Sequence, residues 1–112
     1  MKIEESFRVS LLVDFYKNLL TQKQRKIITD FIDNNISISE LAQIYNTSRQ
    51  AINDLIKRTI KVLEGYEEKL NLLHKFEMIR EKVKKSLEIL DSKETNSSNE
   101  IKKELNSVLE IM

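Results

Sequence analysis

The sequence contains no cysteine, no proline, no tryptophan and a single glycine. Without cysteine there can be no disulfide, no thiolate metal site and no cysteine nucleophile. One glycine and no proline leave the chain short of the commonest turn formers, which sheets need and helices do without. The lone glycine also excludes a glycine-rich phosphate loop. One histidine, His74, among scattered carboxylates makes no metal constellation. No apolar run approaches the roughly 20 residues that cross a bilayer. The start, MKIEESFRVSLLVDF, is interrupted by Glu4, Glu5, Arg8 and Asp14, unlike a signal peptide. Nor is one sign of charge in excess: 19 basic residues face 18 acidic ones, a net +1. The expectation is a soluble, cytoplasmic, non-enzymatic protein with no membrane span, no metal and no cofactor.

What is present is helical. The 112 residues are 40% hydrophobic and 33% charged, enough for one core. A composition rich in Leu, Ile, Lys and Glu predicts an all-α fold: a helical bundle with a long fourth helix and additional C-terminal helices. Residues 1–91 are expected as one domain, and residues 92–112 as a polar linker with a short amphipathic helix. The first helix spans about Glu4 to Leu19, with Phe7, Leu11, Phe15 and Leu19 four residues apart on one face. Val9, Leu12, Val13, Tyr16 and Leu20 widen the apolar surface well beyond the roughly 100° that a core-facing helix needs. Either the helix is buried on more than one side or the surplus is a homodimer interface; the second is preferred, with Val9, Leu12, Val13 and Tyr16 as candidates, because so small a domain has little other chain to cover it.

In LTQKQRKIITDFIDN, Thr21 and Gln24 have the spacing of a capping box, and Asn34-Asn35 offers a left-handed stop. Ser37 with Glu40 opens a third helix that turns Ile38, Leu41, Ala42 and Tyr45 inward. Ser48 caps a fourth that buries Ile52, Leu55, Ile56, Thr59 and Leu63. The apolar steps change register near His74, which predicts a bend or boundary at His74 to Glu77 and a fifth helix to about Leu90. DSKETNSSN reads as a linker. Ser97 and Glu100 can cap a last helix carrying Ile101, Leu105, Val108, Leu109 and Met112.

SISELAQIYNTSRQAINDLIKRT, residues 37–59, has the pattern of a helix-turn-helix. Ala42 is the small residue that lets two helices cross closely. Asn46 tolerates the positive φ of the turn. Ser48, Ile52 and Leu55 cap and lock the second helix, while Leu41 and Tyr45 complete the shared core. With Ile52 inward, Gln50, Asn53, Asp54, Lys57 and Lys61 face outward, flanked by Arg49 and Arg58. In a groove-reading pose, Arg49 suits guanine, Gln50 or Asn53 adenine, and Asp54 the cytosine amino group. Ser48, Lys57, Arg58 and Lys61 suit phosphates, joined by Lys23, Arg25 and Lys26 at the start of the second helix. Residues 36–63 hold four basic and two acidic side chains, a modest basic patch of +2 on a nearly neutral chain. Tyr16, Tyr45 and Tyr66 keep helical spacing with apolar neighbours, which favours packing over base stacking.

LLTQKQRKI, SISELAQIYNTSRQAINDLIKRT and LEGYEEKLNLLHKF together resemble the YlxM family, small bacterial helix-turn-helix proteins encoded beside signal recognition particle genes. The resemblance runs from about residue 6 to residue 90. Gln22 departs from it, standing where the family often has proline. The motif is also similar to the promoter-reading fourth region of sigma factors, with LTQKQR, ELA and SRQAI in the same order. The resemblance implies a DNA-binding regulator linked to the signal recognition particle pathway. It equally implies a second reading: a protein- or RNA-interaction module that engages the particle's RNA or its GTPases.

Overall fold

The computed structural model describes residues 2–91 and 97–112, which form an all-α architecture without strands. The helices are α1 (Ile3–Tyr16), α2 (Gln22–Ile32), α3 (Ile38–Ile44), α4 (Arg49–Leu70), α5 (Leu72–Asp91) and α6 (Ser97–Ile111), with a 3-10 turn at Lys17–Leu19. Two compact units divide the chain, residues 1–70 and residues 71–112.

The first unit is built from α1 to α4. Its helix starts follow the local chemistry read from the sequence. The Thr21 hydroxyl accepts from Gln24 N–H while the Gln24 side chain accepts from Thr21 N–H, a complete capping box. Ser37 accepts from Glu40 N–H at 3.1 Å, but its own hydroxyl takes the Glu40 carboxylate at 3.3 Å, so the reciprocal half falls on the side chain rather than the backbone. Ile27 and Ile28 of α2, Leu41 of α3 and Ile52, Ile56 and Leu63 of α4 are buried.

The structure inverts the expected faces of α1. Val9, Leu12, Val13 and Tyr16, read as a dimer interface, are the core, and Leu12 and Tyr16 are wholly buried. Phe7, Phe15 and Leu19, expected together on the other face, are exposed. The inner stripe follows i, i+3, i+4, i+7 spacing and packs against α2 and α4 of the same chain. Two polar ties fix that rotation. The Tyr16 hydroxyl donates to Glu67 Oε1 at 2.6 Å within the core. The Arg8 guanidinium forks onto both oxygens of Glu64, each at 2.9 Å. The four candidates are thus unavailable to a second chain.

In the second unit, α5 and α6 pack on each other as an antiparallel hairpin. Ser86 is buried and returns its hydroxyl to Lys82 O at 2.9 Å. Lys82 and Lys85 reach Glu104 across the seam at 3.9 and 3.5 Å. The break before α5 is at Asn71 (φ 58°), not at His74 to Glu77, which lie inside α5. Asparagine tolerates the left-handed conformation that ends a helix, and this outweighs the change of apolar register further on. The boundary expected at residue 91 falls at the end of α5, between the two helices of the hairpin. The linker reading for residues 92–96 and the cap assigned to the Ser97 side chain lie outside the described residues.

Candidate nucleic-acid interface

The turn between α3 and α4 is closed by backbone bonds alone. Thr47 N–H donates to Ala42 O at 2.9 Å and Asn46 N–H to Gln43 O at 3.2 Å, with Asn46 at φ 51°. This is a Schellman closure with asparagine in the left-handed position where glycine is commonest. Ala42 is buried where α3 and α4 cross, and its small side chain permits the approach. Ser48 caps α4 by accepting from Ala51 N–H at 3.0 Å.

Burial of Ile52, Ile56, Thr59 and Leu63 fixes the rotation of α4 and therefore its outer face. Arg49, Gln50, Asp54, Lys57, Arg58 and Lys61 are exposed, and Asn53 is half-buried. Arg58 leans back along its helix, with Nε 3.4 Å from Asp54 O. No acidic side chain occupies the first turn of α4 or of α2, whereas α1 and α3 carry glutamates there. The two helix starts that bear the candidate cations thus keep their partial positive charge for an outside anion.

Lys23, Arg25 and Lys26 are exposed on the first turns of α2. Arg25 and Lys26 line a shallow cleft together with Gln22, Thr29, Asp30 and Lys17. Lys26 Nζ lies 6.0 Å from the centroid of the Tyr45 ring, which links this cluster to the end of α3. Tyr45 itself turns inward, and its hydroxyl is buried with no hydrogen-bond partner among the described residues.

Sequence reasoning missed three neighbours of the site. Lys17 joins the α2 cleft from the 3-10 turn, which no local pattern announces. Ser39 and Gln43 line a second shallow groove with Asn46, Ser48 and Arg49. Their i, i+4 spacing on α3, opposite the buried Leu41, was the signal that could have found them. Among the described residues no group of acidic or histidine side chains is placed to hold a metal ion, and no helix is long and apolar enough to cross a membrane.

The family described as "Putative helix-turn-helix protein, YlxM / p13 like" (UPF0122) matches residues 3–106. A UPF0122 protein of Clostridium perfringens is 42% identical over 108 residues, 96% of each chain. One from Bacillus cereus is 41% identical over 106 residues, covering 95% of this chain and 96% of its own. One from Halalkalibacterium halodurans is 43% identical over 94 residues, covering 84% and 86% respectively. Matched over nearly its whole length, the chain belongs to the YlxM/p13-like family of helix-turn-helix proteins, UPF0122.

Proposed function

We propose that this protein is a non-enzymatic regulator that binds duplex DNA as a homodimer, reading the major groove with the first turns of α4. The observation that carries the reading is the rotation of α4: one side is fixed in the core while Arg49, Gln50, Asp54 and Lys57 stand outward beyond a capped start. Early residues of such a helix meet base edges, and the cations further along meet phosphates. The exposed cations of α2 add backbone contacts without adding sequence information. Few phosphates are neutralised by one copy, so binding by a single chain is weak, and two copies on paired half-sites raise it.

The resemblance to proteins encoded beside signal recognition particle genes supports a role for this regulation in that pathway. It also supports a second reading, that of a module binding the particle's RNA or GTPases; the small excess of basic charge on α4 and the acid Asp54 favour the GTPases among these partners.

The deciding experiment immobilises the full chain and sequences the DNA and RNA retained from lysate, alongside the Arg49→Ala variant. Enrichment of one DNA motif, weakened by about 1–3 kcal/mol in Arg49→Ala, supports groove reading. Recovery of the particle's RNA or GTPases alone replaces it with the second reading.

A further inference from the structure

The hairpin of α5 and α6 leaves one side uncovered. Val83, Leu87 and Leu90 on α5 are 40–62% exposed, and Leu105 and Leu109 on α6, with Met112 just past its end, are 48–84% exposed. At 100° per residue each trio occupies an arc of about 60°. The centre of the α5 trio is rotated roughly 70° from Ser86 and that of the α6 trio roughly 110° from Glu104, both residues of the seam, in the same sense along each helix. Because the helices run antiparallel, rotation in the same sense from the seam brings both trios to one side, as a single apolar face.

We infer that this face pairs with the same face of a second copy, making a four-helix bundle that joins two chains into a homodimer. The inference supplies an interface for the two-copy part of the preceding reading and rests on that part alone.

Three observations select this occupant. The unit spans residues 71–112, well short of the roughly 55–65 residues at which small domains commonly fold alone. It has no disulfide to compensate, and its described residues hold no metal cluster. Its core is correspondingly thin, with Leu73 and Ser86 the buried side chains of α5 and none fully buried in α6. Two such hairpins face to face share one core contributed by all four helices.

The area is sufficient. At roughly 100 Å² for each of six partly exposed side chains, the pair removes about 1,200 Å² from water, the lower end of stable specific interfaces. The charge is permissive as well. Residues 71–112 carry eight basic and eight acidic side chains, so the unit is neutral and does not repel its copy. That neutrality also gives a nucleic acid or an anionic membrane surface nothing to select.

The test is sedimentation of the full chain at micromolar concentration, with Leu87→Lys/Leu109→Lys and, as a control on the exposed side of α1, Phe7→Lys. The native chain and Phe7→Lys are expected at twice 13.2 kDa, and the double variant at 13.2 kDa with its far-ultraviolet helical signal kept. A native monomer overturns the inference, as does a double variant that still dimerises. Should the double variant lose helix, Leu105→Ala removes area only and is expected to raise the dimer dissociation constant at least tenfold; an unchanged constant overturns the inference. A native dimer that retains no DNA sinks the groove-reading proposal and leaves the interface standing. A monomer that still selects a DNA motif does the reverse.

Discussion

Tyr16 and Glu67 meet inside the first unit, phenol to carboxylate at 2.6 Å, joining the end of α1 to the last turns of α4. Both residues are buried, so the bond forms where neither group has water in its place. Tyr66, the neighbour of Glu67, makes a weaker version, donating to Leu19 O at 3.1 Å near the surface. Tyr16→Phe is expected to cost about 1–3 kcal/mol, because a buried carboxylate loses a donor. Tyr66→Phe is expected to cost under about 1 kcal/mol. Urea titrations of the two variants check the order, and equal losses would show that burial of the Tyr16–Glu67 pair contributes nothing.

Tyr45 presents the opposite case. Its hydroxyl is enclosed without a hydrogen-bond partner among the described residues, while its ring lies under Lys26. Tyr45→Phe keeps the ring and removes the unmatched polar atom. Stability should be unchanged or raised by up to about 1 kcal/mol. A loss of more than that in thermal unfolding would mean that the hydroxyl has a partner after all.

The turn of the motif depends on Asn46 at φ 51°. Asn46→Gly relieves the left-handed cost and should stabilise by a few tenths of a kcal/mol up to about 1. Asn46→Ala removes the side chain that tolerates this conformation and should destabilise by about 1 kcal/mol. Calorimetry on both variants gives the sign. A gain with alanine would mean that the turn can be rebuilt in another conformation.

If α4 and the start of α2 hold DNA, salt should report it. With about five phosphates neutralised per copy, the log–log slope of affinity against salt is about −4 to −5. Lys57→Ala should weaken all sequences alike and reduce the steepness by about one. Fluorescence anisotropy across a salt series measures both, and a change confined to one DNA sequence would make Lys57 a base reader instead.

The sequence announced features whose cause is local. Thr21 with Gln24, Ser37 with Glu40 and Ser48 ahead of Ile52 each name a helix start from residues within one turn. The inner side of α4 followed from the spacing of Ile52, Ile56, Thr59 and Leu63. The faces of α1 could not be assigned that way, because the helix is apolar on both sides and its rotation is chosen by Glu64 and Glu67, more than 50 positions away. Asn71 was legible in principle. The same asparagine signal predicted stops at Asn35 and Asn46, and the structure uses it a third time. Arg49, Gln50 and the cations after them are exposed because α4 is packed from the other side, which is as much as periodicity can say.

The ties between α1 and α4 also set an order of events during synthesis. Arg8 and Glu64 are separated by 56 positions, and Tyr16 and Glu67 by 51. Once made, α1 therefore waits for nearly the last residues of the first unit before its inner side is fully enclosed. At roughly 5–20 residues per second that delay is about 3–10 s. Until then α1, a helix of 14 residues near the length at which an isolated helix is marginal, has only α2 and the preceding part of α4 to pack against. The helix made earliest in the unit is thus the part with the longest claim on a chaperone.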